Sequence, residues 1–136
     1  MYIAKFLFHF AFCFTILTTG FGQEAFTNCS AAFLNDKIVV DDYSPTGTCS
    51  LPGTATGELT VCTVNLSPES STPMDKIGFK IALRDNTTGT LTMFSNKTYN
   101  QVDIQAVLSR CKKGDRIVLI TTNELYSLPH NEILVK

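Results

Sequence analysis

The side chains of this chain that could make or break a covalent bond are few. Beyond the apolar amino-terminal stretch there are four cysteines, Cys29, Cys49, Cys62 and Cys111, and one histidine, His130. Nucleophilic catalysis needs a thiol or hydroxyl beside a base that accepts its proton near neutral pH, so the pair to weigh is Cys111 with His130. Cys111 sits in residues 108–122, "LSRCKKGDRIVLITT", where a helical pattern gives way to a strand pattern. On the apolar helix face of an exported domain, a cysteine is a disulfide partner or an inert packed thiol. Lys112, Lys113 and Arg116 in the same stretch could hold an anion, but the negative end of a helix dipole repels one there. His130, in "LPHNE", reads as a capping or edge-strand residue whose ring bonds the turn after Pro129. There is no GxSxG elbow, and Gly47, Gly53 and Gly57 belong to no phosphate-cradling motif.

Carboxylate chemistry fares no better. Asp41, Asp42 and Glu58 are available as a glycosidase pair, yet consecutive strand residues point to opposite faces and do not flank one sugar bond. Asp36, Asp41 and Asp42 lie near Asn35 without calcium-loop spacing, so they read as solvated charge at strand ends. The cysteine gaps are wide and contain no CxxC, which argues against zinc. This reading assigns no catalytic residue, no metal and no cofactor. Four glycosylation sequons begin at Asn28, Asn65, Asn86 and Asn96, of which Asn86 and Asn96 would be the glycan carriers in a eukaryotic source.

The groups above must be positioned outside the cytoplasm if the amino terminus is read correctly. Lys5 precedes residues 6–17, apolar apart from His9 and Thr15 and too short to span a bilayer, and Gly20 and Gly22 supply the small residues of a cleavage site. The expectation is a signal peptide over residues 1–22, leaving 23–136 as a single β-rich domain, secreted or periplasmic, with no membrane span after cleavage. An uncleaved anchor helix is the competing reading. Cys13 lies inside the leader without a lipobox and would leave with it. The chain carries a formal charge of −1, and losing Lys5 makes the remainder one unit more negative, with both signs dispersed. That excludes the basic footprint of a nucleic-acid binder. Four cysteines in an exported chain imply two disulfides among Cys29, Cys49, Cys62 and Cys111, with three connectivities open. Cys49 with Cys62 would close a loop worth about 2–3 kcal/mol, leaving Cys29 with Cys111 to tie the first strand to the helix.

Short β-branched runs between turn residues make sheet the dominant element. "AAFLNDKIVV" offers two short strands, or one bent strand, about Asn35-Asp36, and residues 45–57 read as loop. Residues 58–67 alternate with both faces largely apolar, the mark of a central strand, and residues 68–73, with proline at each end, read as surface loop. Ile77, Phe79, Ile81 and Leu83 share one face of a strand that turns at residues 85–89 and returns through Leu91, Met93 and the out-of-phase Phe94, with Lys76, Lys80 and Arg84 facing water. One helix is expected over about 101–112, capped by Asn100 with Asp103 and showing Ile104, Val107, Leu108 and Cys111 on its apolar face. Lys112 and Lys113 fall in its last turn, and Gly114 ends it. Strands follow at 116–122, 125–128 and 132–135, the last two separated by Pro129.

The order from residue 76 onward, "IGFKIAL", the helix "QVDIQAVLSRC", then "KKGDRIVLITT" and a closing "LPHNEILV", resembles the carboxy-terminal domain of the gliding-motility and type IX secretion protein GldM of Bacteroidetes. The resemblance covers under half the chain. It implies a periplasmic Ig-like module that works by protein contacts without an active site, and it transfers no site residue. The expected architecture is thus a mainly β, Ig-like β-sandwich with one short helix. The expected function is non-enzymatic binding or structural support toward another protein, through the loop at 45–57 or an edge strand at 125–128. The alternatives are a secreted glycoprotein or carbohydrate-binding module and, behind it, a thiol-dependent enzyme.

Overall fold

The computed structural model describes residues 29–66 and 71–136, so the expected leader at 1–22 and part of the 68–73 loop lie outside the described residues. The chain forms two sheets that share one core. The first contains β1 (Ser30–Leu34), β2 (Lys37–Ile38), β4 (Glu58–Leu66), β5 (Ser71–Lys76) and β8 (Val102–Asp103), in the order β2-β1-β4-β5 with β8 also on β4. The second runs β3-β10-β9-β6-β7, from β3 (Cys49–Leu51), β10 (Glu132–Val135), β9 (Arg116–Thr121), β6 (Phe79–Arg84) and β7 (Leu91–Met93). Ala32, Leu59 and Val61 from the first sheet and Phe79, Ile81, Ile117, Leu119 and Ile133 from the second are buried against each other, a β-sandwich. Among the described residues the strand pairings are antiparallel except β3 with β10, which is parallel.

The alternation of the 77–83 run places Phe79 and Ile81 in this core, with Leu83 packed at its margin. β4 is central, bonded to β1, β5 and β8, and both its faces are filled, which explains its two apolar phases. Pro73 is accommodated because β5 is an edge strand, so the expected loop at 68–73 yields its later residues to sheet. Likewise the loop at 45–57 contains β3, a three-residue strand held by its pairing with β10. The segment 125–128, expected as a strand, is irregular. Only Ser127 pairs, in an isolated parallel bridge with Cys29.

Asn35 and Asp36 turn β1 into β2 with φ of 52° and 66°, the left-handed pair that a tight hairpin requires. Asn35 then reaches across the sheet: its Nδ2 donates to Thr56 O at 3.2 Å, and its Oδ1 accepts from Glu58 N at 3.1 Å. The backbone it clasps includes Gly57, at φ 118°, where a Cβ would collide with the Asn35 side chain. Gly57→Ala is therefore expected to destabilise the domain by about 1–3 kcal/mol, read as a lowered urea midpoint. A midpoint within error of the parent would show that the clasp contributes nothing.

The one helix among the described residues, α1 (Ile104–Leu108), buries Ile104, Val107 and Leu108 as their spacing predicts, but it is shorter than 101–112. Val102 and Asp103 are extended because they pair with Leu59 and Glu58 of β4. The cap is consequently Asp103, whose carboxylate accepts from Gln105 N at 3.0 Å, and not Asn100. At the other end Ser109 closes the helix, so Lys112 and Lys113 are not in its last turn and Gly114 is not its terminal glycine. Gly114, at φ 96°, belongs instead to the turn that enters β9. Cys111 follows the helix, half-buried against the shared core.

Neither expected disulfide pairing forms: Cys49, Cys62 and Cys111 are free thiols, and Cys29 is not one of these three. The period of the strands gives the reason. Cys49 points into the core between the sheets, whereas Cys62 points to the opposite face of β4, where it packs with Cys29, Ala31, Phe33 and Val64. The first sheet stands between Cys49 and Cys62, and Cys29 and Cys111 are divided in the same way. No helix among the described residues is long and apolar enough to cross a membrane.

Candidate functional site

Two surfaces follow from this arrangement. The first is a cavity of about 390 Å³ where β3, the turn before it and the chain entering β10 meet, lined by Thr48, Cys49, Arg116, His130 and Glu132 among others. The parallel pairing of β3 with β10 sets Cys49 opposite Ile133 and thus brings it beside His130, 81 positions away in sequence. Cys111, the thiol that the sequence pairs with His130, does not line this cavity; its Sγ donates to Val107 O at 3.4 Å.

The thiol and imidazole in the cavity do not address each other as nucleophile and base. Cys49 Sγ donates to the backbone carbonyl of His130 at 3.7 Å. The His130 ring lies edge-on to Tyr43, with centroids 5.2 Å apart, and its Nε2 donates to Ser44 O at 2.7 Å. That partner is 86 positions distant, so the ring anchors the 43–47 segment instead of the turn after Pro129. Burial pushes the Cys49 thiol up to about 11, and the nearby Asp41 carboxylate adds to the shift, so it is protonated near neutral pH. Burial also raises Cys111, with Asp115 contributing, and Cys62.

The acidic candidates are separately employed. Asp41 accepts from Thr48 N at 2.8 Å and Thr48 Oγ1 at 3.1 Å, and the Thr48 amide holds its carboxyl below the ordinary value. Glu58 accepts from Gln101 Nε2 at 3.3 Å at the start of β4. Among the described residues no three His, Cys, Asp or Glu side chains converge as metal ligands. Lys112 reaches Asp85 at 3.2 Å in the hairpin turn, while Arg116 stands on the sheet, so the lysine–arginine cluster of residues 112–116 is not a single anion site.

The second surface is the outer face of the second sheet. Its register lines up Leu91, Arg84, Arg116 and Leu134 in one row and Met93, Ala82, Val118 and Glu132 in the next, with Lys80 opposite Ile120 beyond them. Leu91, Met93 and Ile120 are 46%, 41% and 39% exposed. Two arginines directly across from each other repel, and Glu132 meets only Arg84, Nε to Oε1 at 3.5 Å. The sequence reading missed this face. Its signal was there in the alternation Arg116, Val118, Ile120, but the cross-strand partner of Arg116 is a tertiary fact.

Comparison with known proteins adds no family to this description: no family model, no curated protein and no solved structure matches the chain.

Proposed function

We propose that this chain is an exported, non-enzymatic binding or structural module that acts through contacts with another protein. The observation that supports it is the outer face of the second sheet, where Leu91, Met93 and Ile120 are open to solvent beside an uncompensated arginine. Exposed apolar side chains rimmed by charge are the composition of a contact surface. The Cys49 thiol of the cavity, pushed up to about 11 by burial, supports the non-enzymatic part of this reading. The reading includes an Ig-like sandwich in the periplasm or outside the cell and, through the resemblance to the GldM carboxy-terminal domain, an association with bacterial secretion or cell-surface machinery.

Chemical cross-linking of intact producing cells tests it. The expected product is a discrete adduct between this chain and a different protein. Recovery of the chain solely as an unshifted monomer across cross-linker lengths would overturn the proposal. A second reading, a secreted glycoprotein, is favoured by Asn86 and Asn96 both being exposed, at the two ends of the hairpin arm that carries β7. It predicts a mass loss on enzymatic deglycosylation of the natural protein.

A further inference from the structure

We infer that β7 is a docking edge, and that its occupant is an extended acidic segment of a partner protein that adds to the second sheet as a further strand; this rests on the binding-module reading above. β7 is the terminal strand of its sheet, and all three of its residues are exposed. Phe94 N donates to Ile81 O at 2.8 Å and Asp85 N to Thr90 O at 2.9 Å, which fixes the phase of the ladder. Positions 90, 92 and 94 face β6, so the N–H and C=O of Leu91 and Met93 project from the free edge. Leu91, Thr92 and Met93 include no charge and no proline, the devices that ordinarily protect an edge. An added strand would complete those backbone bonds, the mode of recognition in which an extended peptide extends a sheet.

Charge selects the occupant. The side chains flanking β7 on the outer face are Arg84, opposite Leu91, then Arg116 behind it and Lys80 farther along β6. At the end of β7, Arg110 donates to Phe94 O at 2.7 Å with its guanidinium 4.9 Å from the Phe94 ring centroid. Against the three cations Arg84, Arg116 and Lys80, the outer face carries the single carboxylate of Glu132. A strand added to β7 lies roughly 10 Å from β6, and its alternate side chains share the face of Leu91 and Met93. Glutamates or aspartates at those positions would reach toward Arg84 and relieve the repulsion between the opposed arginines. A second copy of this chain is the poorer occupant, because β7 itself brings no carboxylate and would set one cationic face beside another.

The test is photo-cross-linking in producing cells, with a benzophenone amino acid replacing Thr92 on β7 and, separately, replacing Thr54 on the loop before β4, which is also exposed. The expected result is an adduct from position 92 whose cross-linked peptide is rich in aspartate or glutamate, and which falls at least tenfold on adding Arg84→Glu with Arg116→Glu. Thermal melting of the charge-reversed protein separates lost docking from lost folding, and Lys80→Glu provides a second variant should the double change unfold. An adduct from position 54 alone overturns the β7 site and leaves the binding module standing. An adduct at position 92 with a second copy, or one indifferent to the charge reversals, overturns the acidic occupant. No adduct from either position overturns both proposals.

Discussion

Truncating Phe79 to alanine is expected to lower the unfolding free energy by about 3–5 kcal/mol, a large part of the total for a domain of this size. Phe79 is fully buried in the core shared by the two sheets. Its strand is held on both sides: Phe79 stands opposite Thr121 of β9, where the neighbouring Thr122 N donates to Gly78 O at 3.2 Å, and its own N and O exchange bonds of 2.9 and 2.7 Å with Tyr99. The strand therefore cannot shift to fill the void, and the cavity term is felt in full. The ring also stands 6.3 Å from the Tyr99 ring, a contact that alanine removes. Phe79→Leu should cost less, because it leaves a smaller void. Urea denaturation followed by far-ultraviolet circular dichroism reads both. A cost below about 1 kcal/mol for the alanine variant would mean that the sheets do not pack through this residue.

Asp115→Ala is expected to be the most damaging polar substitution, at about 2–4 kcal/mol, because it strands donors from two separate segments. The Asp115 carboxylate accepts from Asn86 N at 3.0 Å in the β6–β7 turn and from Lys112 N at 2.8 Å in the turn after the helix. Its backbone carbonyl accepts from Val135 N at 2.9 Å, and the adjacent Gly114 N donates to Val135 O at 2.8 Å. The residue is 5% exposed, so water does not replace the lost acceptor. Asp115→Asn keeps one carbonyl oxygen and should retain part of the stability. Hydrogen exchange distinguishes this account from a general loosening: the amides of Asn86 and Lys112 should lose protection ahead of the β4 and β9 amides. Uniform loss across the domain would contradict it.

Much of the fold was legible because its signals are local. The phase of Ile77, Phe79 and Ile81, the two apolar faces of β4 and the left-handed tolerance of Asn35-Asp36 all come from neighbours within a few residues, and each appears where the pattern places it. What failed depended on partners far along the chain. The helix begins at Ile104 because β4 claims Val102 and Asp103. β3 exists because β10 lies beside it, in a segment whose threonine, glycine and proline content reads as loop. The cysteines show the limit most clearly: on strands apolar on both faces, alternation does not say which face meets the second sheet, and so it does not say which thiols can meet. The Cys49–His130 cavity and the row Leu91–Arg84–Arg116 were hidden for the same reason, since each is assembled by strand pairing.

The opposition of Arg84 and Arg116 also has a thermodynamic consequence. Like charges across a ladder weaken it by a few tenths of a kcal/mol, and salt screens the effect. A fold that keeps such a pair beside exposed Leu91 and Met93 departs from local consistency at one place, which is where a contact surface is expected.

The account rests on the thiol and imidazole of the cavity being packing groups, so that function lies on the exterior. Ultraviolet absorbance of thiolate in the native protein, titrated upward from neutral pH with Cys49→Ala as the difference reference, measures this most directly. The account predicts no Cys49 thiolate near neutrality and its appearance only as the pH approaches about 11. A neutral-pH thiolate band that vanishes in Cys49→Ala would contradict it, and would return the Cys49–His130 cavity to consideration as a site of chemistry.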